Sequence, residues 1–172
     1  LGIPLMKDLA RKEFAVEKYR KLFWYLKFPD YFCRWIMKEK ILDTSTEMFL
    51  SLGFKSVTMD DIADKLSISK KTIYSHFSNK EQLVEACVLE LFEEISTNID
   101  DIVAENHNPI AEQLYIHEFI LNKLKEENAS PQFQLYKYYP EINEKLREKK
   151  IEHTEKCLSK NLTRGIKEGF YR

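Results

Sequence analysis

Between Thr58 and Lys80 the sequence runs TMDDIADKLSISKKTIYSHFSNK, a stretch dense in hydroxyls, carboxylates and lysines. Paired carboxylates such as Asp60-Asp61 invite an acid–base reading, but their distance from Thr58 gives them a simpler role. Thr58-Met59-Asp60-Asp61 is a capping box, in which the Thr58 hydroxyl accepts the backbone N–H three residues on and Asp61 reaches back. Negative charge at that position also suits the positive end of a helix dipole. A short helix then runs to about Leu66 and buries Ile62, Ala63 and Leu66. Ser67-Ile68 make a tight turn, and Ser69 caps a second short helix, Lys70–Phe77, which buries Ile73 and Phe77. Two short capped helices joined by such a turn form a helix-turn-helix. The chemistry open to it is recognition. The first helix braces against a DNA backbone, and the second lays its exposed side chains in the major groove, about 12 Å wide.

Other chemistry finds little support. Cys33, Cys87 and Cys157 are far apart and odd in number, so neither a disulfide framework nor metal spacing is expected, and a reducing cytoplasm fits them. His107 and His153 lack partners at ligand spacing, and His117 beside Glu118 makes no metal site alone. No metal or cofactor is expected. There is no nucleophile–base signature and no Gly-rich phosphate loop, so an enzyme is not expected either. No apolar run approaches the ~18 residues of a membrane span, and the first residues lack the pattern of a secretion signal.

The elements that must position the motif are helices. Gly numbers only 4 and Pro only 5 among 172 residues, with 32% charged, and no alternating apolar pattern argues for a sheet. Residues 5–28 read as a helix that Pro29 stops, with lysines and arginines between its apolar positions; it is expected to pack on the body of the protein, a basic amphipathic helix on a membrane surface being the weaker alternative because its polar face is mixed in sign. Lys38–Leu52 is a helix with Ile41, Ser45, Met48 and Leu52 on one face, widened by Leu42 and Phe49. Gly53 follows where a left-handed residue ends a helix without Cβ strain. A second capping box at Ser78–Glu81 opens a long helix carrying Leu83, Val84, Cys87, Val88, Leu91, Ile95, Ile99 and Ile102. Asn108-Pro109, Ser130-Pro131 and, with a poor cap, Tyr139-Pro140 start three more. The last runs to about Lys167, bears a drifting stripe from Ile142 through Leu146, Ile151, Leu158 and Leu162 to Ile166, and is closed by Gly169. Net charge is only −1, distributed as +4 over residues 1–36, +1 over 37–80 and −6 over 81–172. A DNA-binding face must therefore come from local placement of a few lysines.

Residues 40–85, with Phe49, Gly53-Phe54, Val57-Thr58, Asp61-Ile62-Ala63, Ile68-Ser69, Thr72-Ile73-Tyr74, His76-Phe77 and Asn79-Lys80-Glu81, closely resemble the N-terminal domain of the TetR family of transcriptional repressors. The resemblance implies an all-α fold: a three-helix DNA-binding domain with a helix-turn-helix, then a helical ligand-binding and dimerisation domain. It implies that Thr58 caps the motif and touches phosphate, that Lys70, Lys71 and Thr72 face the major groove, that Tyr74 and His76 bond phosphates, and that Lys80 reaches a phosphate at a helix N-terminus that itself attracts anions. The chain departs from the family at Ser67, where Gly is usual; a left-handed Ser there costs about 1 kcal/mol or somewhat more. Lys71 stands where a small residue or Pro is common.

The resemblance is strong over about Lys38–Leu91 and is one of pattern beyond. The expected organisation is a helical extension at 1–36, the helix-turn-helix domain at 37–83 and a helical regulatory and dimerisation domain at 84–172. In the family two further helices usually follow the segment GIKEGFYR and build the dimer interface, so the regulatory domain is expected to be incomplete at that end. Some irregularity of chain definition at residues 1–36 is the favoured expectation. The family implies a homodimer on a palindromic operator in double-stranded DNA, with recognition helices about 34–36 Å apart, released by a small-molecule effector. Phe92, Gln113, Tyr115, His117, Phe119, Phe133, Tyr136 and Tyr138 are the candidate pocket residues. The alternative is a DNA-binding protein without an inducer, controlled by a protein partner or constitutive; a filled core in the second domain would favour it.

Overall fold

In the computed structural model the described residues are 29–126 and 130–172, and the helix expected at 5–28 lies outside them. The chain divides into two compact units, Leu1–Lys40 and Ile41–Arg172. Seven helices and no strands are found among the described residues: α1 Pro29–Leu52, α2 Met59–Leu66, α3 Lys70–Tyr74, α4 Lys80–Ala104, α5 Pro109–Glu126, α6 Ser130–Tyr138 and α7 Pro140–Lys167. None is long and apolar enough to cross a membrane.

Pro29 begins α1, nine residues before the helix start expected at Lys38. A proline suits the first helical turn because its missing N–H has no partner there anyway; the stop expected at Pro29 concerns a helix outside the described residues. From Ile41 on, α1 buries Ile41, Leu42, Ser45 and Phe49, three- and four-residue steps along one face. Gly53 ends it with φ +87. Its N–H donates to Phe49 O at 2.9 Å, and the Phe54 ring folds back to 5.2 Å from that of Phe49. The end of the Gln134 side chain lies where a Cβ would stand and can move aside, so it is the left-handed conformation that favours glycine there.

α2, α3 and the first turns of α4 complete the helix-turn-helix unit, the head of the molecule. Its core is Ile41, Phe49, Val57, Ile62, Ile73, Phe77, Leu83 and Val84, all nearly solvent-free. Leu66, expected in this core, is half-buried. The 25-residue α4 spans about 37 Å and continues past the head into the body, where α5 and α7 pack on it; α7 also packs on α5 and α6. The second compact unit therefore holds both the helix-turn-helix and the helices behind it.

A buried polar clasp joins α5 to α7. The Glu112 side chain is 2% exposed. Its Oε2 accepts from Arg164 Nη2 at 2.6 Å and its Oε1 from Asn161 Nδ2 at 2.7 Å. Asn161 Oδ1 in turn accepts from the Tyr171 hydroxyl at 2.8 Å. Tyr171 lies against Gly165, where a Cβ would collide with its ring. The stripe expected along α7 is buried at its start only: Ile142 is buried, whereas Leu158, Leu162 and Ile166 are exposed. Over 28 residues a straight helix rotates a near-heptad stripe away from a fixed contact line, so the later members of such a stripe face solvent.

Candidate nucleic-acid interface and the cavity behind it

α2, α3 and α4 each begin on a side-chain cap. Asp61 N donates to Thr58 Oγ1 at 3.2 Å, and Asp61 Oδ2 accepts from Thr58 N at 2.7 Å, closing the capping box. The two bonds from Thr58 hold the Asp61 carboxyl below the ordinary aspartate range, because they favour the ionised form. The hydroxyl of Thr58 also donates to Asp61 at 2.7 Å, so a phosphate contact from Thr58 must share that group.

Ser67 adopts φ 54, ψ 41. Its N–H donates to Asp64 O at 3.1 Å, and Ile68 N donates to Ala63 O at 3.0 Å. The left-handed turn is thus made by serine, with its strain of about 1 kcal/mol or somewhat more offset by two backbone bonds. Ser69 Oγ accepts from Thr72 N at 3.1 Å. The α-helix that follows ends at Tyr74 rather than Phe77, but the chain keeps turning, with His76 N and Phe77 N both donating to Ile73 O at 2.9 Å. Tightening in the last turn is how short helices satisfy orphan carbonyls. The next cap is Asn79 rather than Ser78: Asn79 Oδ1 accepts from Gln82 N at 2.8 Å. Gln82 rather than Glu81 reaches back, but its Oε1 accepts from Ser78 N at 2.6 Å, so the cap moves by one residue while the returned bond stays at Ser78.

Lys71 and Tyr74 are exposed on α3, the helix expected to face DNA. Lys70 is exposed and pairs with Asp60 in the first turn of α2, so its charge is partly engaged across the motif. Thr72 is half-buried, its hydroxyl 2.9 Å from Ser69 Oγ. His76 is half-buried at the helix end. Lys80 is half-buried at the foot of α4. Burial pulls its ammonium pKa down, while the Asp61 carboxylate pushes it back up. Lys70, Lys71, Thr72, Tyr74 and His76 thus lie on or just after one short helix, with Thr58 and Lys80 at the starts of its two neighbours.

Behind the head lies a cavity of about 310 Å³. It is walled by Leu50 and Phe54 of the head, by Val88, Leu91, Phe92, Ile95 and Ile99 of α4, and by residues of α5, α6 and α7 that include Ile120, Leu135 and Leu146. Its polar lining comprises Ser96, Lys123, Gln132, Lys150, His153 and Thr154. Of the eight pocket candidates, Phe92 lines it. Gln113 and His117 instead border a shallow hollow with Ile110, Leu114 and Tyr171. Phe133 and Tyr136 are 61% and 68% exposed, and Tyr115 and Tyr138 are also exposed; Phe119 is half-buried outside the lining. On α6 the inward residues are Pro131 and Leu135, one turn apart, which leaves the aromatics at 133 and 136 on the opposite face. Aromatic character marked these residues in the sequence, but helix phase decides direction. Leu135 and Ile120 carried a usable signal as apolar residues in register with their helices.

α6 also touches the head. Gln134 Oε1 accepts from Lys55 N at 2.9 Å, Lys55 Nζ stands 5.0 Å from the Tyr138 ring centroid, and the Phe54 and Tyr139 rings are 6.1 Å apart, edge to face.

Residues 41–87 match the family model described as bacterial regulatory proteins, tetR family. The chain is 35% identical over 69 residues to the biofilm operon icaADBC HTH-type negative transcriptional regulator IcaR of Staphylococcus epidermidis, covering 38% of this chain and 37% of that protein. It is 36% identical over 64 residues to the uncharacterized HTH-type transcriptional regulator YhgD of Bacillus subtilis, covering 37% and 34%. The match therefore spans about a third of the length of these curated relatives. The fold extends further. The fatty acid degradation regulator FadR of Bacillus halodurans superimposes with a TM-score of 0.65 at 18% identity, covering 79% of this chain and 72% of that one. A TetR/AcrR-family regulator of Thermobifida fusca does so with a TM-score of 0.58 at 25% identity, covering 77% and 71%.

Proposed function

We propose, from the match of residues 41–87 to the bacterial regulatory proteins of the tetR family, that this chain is a sequence-specific DNA-binding transcriptional regulator, a repressor that a small-molecule effector releases. Lys71 and Tyr74 read or clamp the major groove from the exposed side of α3, and Thr58, His76 and Lys80 hold the flanking phosphates. Lys70 exchanges Asp60 for a phosphate on binding. Base contacts then set the sequence, while the lysines set affinity and its salt dependence.

The observation that carries the regulatory half is the composition of the cavity wall. Leu50 and Phe54 belong to the reading head, and Pro131, Gln132 and Leu135 to α6, whose Gln134 accepts a hydrogen bond from the backbone of Lys55. A molecule filling the cavity presses on the head and on the helix that braces it. Differential affinity for two placements of the head is what linkage requires of an effector. The cavity favours this reading over a regulator without inducer, for which a filled body would be expected. Its lining is apolar with Lys123 and Lys150 among few polar groups, which suits an apolar molecule bearing one anionic group.

The protein acts as a homodimer on a palindrome. Exposed apolar residues on α5 (Ile110, Leu114, Leu121) and on α7 (Leu158, Leu162, Ile166) support self-association, since a surface this apolar marks an interaction site. Selection from random DNA tests the reading. Wild type enriches a palindrome, and the Lys70→Ala, Lys71→Ala, Tyr74→Ala triple variant does not. On the selected site, alkyl carboxylates weaken binding more than alcohols of equal chain length. A folded wild type that enriches nothing at low salt overturns the DNA-binding reading, and indifference to both ligand series overturns the proposed effector class.

A further inference from the structure

Three side chains of metal-ligating type meet where α4 passes α7, away from the DNA-reading face. His153 and Cys157 stand four residues apart on α7, so a single helix face presents both. Asp100, near the C-terminal end of α4, approaches them from the other helix. His153 Nε2 lies 3.3 Å from Asp100 Oδ1 and 3.9 Å from Cys157 Sγ. One ligand atom from each of the three falls within 4.8 Å of the others. In a tetrahedral zinc site the ligand atoms stand about 2.0–2.3 Å from the ion, so neighbouring ligands are separated by about 3.3–3.7 Å, since a tetrahedron's edge is about 1.6 times its centre-to-corner distance. The two separations measured from His153 lie at and just beyond that edge. His153 is the centre of the group: it pairs with Asp100, and Cys157 Sγ stands 3.9 Å from each of its two ring nitrogens, within reach of a weak thiol hydrogen bond.

We propose that Asp100, His153 and Cys157 form a binding site for a zinc-class divalent ion, with thiolate, imidazole and carboxylate as three ligands and a fourth position open to water or another donor. The donor set discriminates. One sulfur and one imidazole suit zinc and its borderline-soft neighbours, whereas magnesium and calcium demand oxygen. Accessibility is graded, with the side chain of His153 17% exposed and that of Asp100 64%, so an ion enters from the Asp100 side. Binding converts the Cys157 thiol to thiolate and releases its proton to solvent; no electron is transferred. The surroundings are mixed in sign, with Asp100 and Glu112 set against Lys156 and Lys160 around the thiol. The bound dication supplies the charge that stabilises the thiolate.

The site has a consequence for control, and that part rests on the DNA-binding reading above. α4 begins at Lys80 beside the recognition helix and carries Asp100 near its far end, while His153 also lines the cavity. An ion held by both helices fixes α4 against α7 across the cavity, and so shifts the population of head placements that reach DNA.

Cobalt(II) tests the site in the full chain after chelator treatment. The expected result is one Co²⁺ per chain with a sulfur-to-cobalt charge-transfer band in the near ultraviolet, displaced by Zn²⁺. The band disappears in Cys157→Ser and persists in Cys33→Ser, and affinity falls about 10-fold or more in Asp100→Asn and in His153→Gln. Wild type provides a test that needs no variant: Zn²⁺ protects Cys157 from alkylation, read by mass spectrometry, while exposed Cys33 stays reactive. No band at stoichiometric cobalt, a band that survives Cys157→Ser, or unprotected Cys157 overturns the site. These readouts do not involve DNA, so they decide the site even for a chain that binds none. Zn²⁺ that binds but leaves operator affinity unchanged overturns the coupling.

Discussion

The reading head and the body behind it are built on opposite terms. The head, Ile41 to Cys87, closes a small core of Ile41, Phe49, Val57, Ile62, Ile73 and Leu83, each at most 1% exposed. Side chains cap its helices after the first, and its polar residues face outward apart from Ser45, which is fully buried. The body buries few apolar side chains completely, keeps a carboxylate and an amide in its interior with a part-buried guanidinium beside them, holds a half-open cavity, and turns Leu114, Leu162 and Ile166 to solvent. The difference has a physical meaning. A reader must hold a few side chains in fixed register against the groove, and short capped helices around a dry core do that. A body whose apolar surface is unfilled inside and uncovered outside has affinity left over for a ligand and for a second copy.

The comparison breaks most sharply at the clasp. Arg164→Met leaves the buried Glu112 carboxylate without its cation, and the body is expected to lose about 3 kcal/mol, the lower end for breaking a buried pair because Arg164 keeps partial solvent access. Glu112→Gln added to it recovers part of that loss. Denaturant unfolding measures both, and a loss below about 1 kcal/mol would show that the clasp behaves as a surface pair and that packing alone holds the body. Leu162→Glu should act differently. At an exposed position it is expected to change monomer stability within about 0.5 kcal/mol, yet to shift sedimentation from dimer towards monomer and to weaken operator binding at least several-fold. Unchanged sedimentation would remove α7 from the interface.

Two smaller effects probe the head. Thr58→Ala removes the first cap of the motif at a cost of about 1 kcal/mol, and the loss should depend on pH. Asp61 titrates below its ordinary value of 3.8 because Thr58 bonds its ionised form. Its contribution is therefore present above the unfolded value and is lost as pH falls through the folded one. Thermal unfolding curves of wild type and Thr58→Ala should differ at pH 7 and converge on the acid side of pH 4; a constant gap would assign the effect to the backbone cap alone. Asp60→Asn releases Lys70 from its ion pair and removes a negative charge facing the DNA. A few-fold gain in operator affinity is expected, shrinking as salt rises. Weaker binding would mean that Asp60 orients Lys70 rather than competing for it.

Thiol chemistry divides along the same line. Cys87, in the head's core, has its pKa pushed up to about 12, mainly by burial, and is inert at neutral pH. Cys157, in the body, is half-buried beside His153.

The sequence by itself determined the head. Thr58, Ser67, Ser69 and Gly53 act within a few residues of themselves, through caps and a left-handed turn whose geometry is local, and the residues they position are read directly off that frame. The one-residue shift of the cap from Ser78 to Asn79 marks the limit of such reading where several polar residues compete for one N–H. Pro29 marks another, since α1 begins there rather than at the expected Lys38, a proline suiting the first turn of a helix as well as the end of one. Only the tertiary structure decided the body. Whether Phe133 or Leu135 faces the cavity depends on the rotation of a nine-residue helix, and aromatic content carries no phase. Asp100 comes beside His153 and Cys157, and Glu112 beside Arg164, across some fifty residues of chain. The interval of four between His153 and Cys157 stands in the sequence, against the expectation that His153 lacks partners at ligand spacing; the carboxylate that completes the group could not be read at all, because local spacing encodes a helix face and packing alone chooses what that face meets.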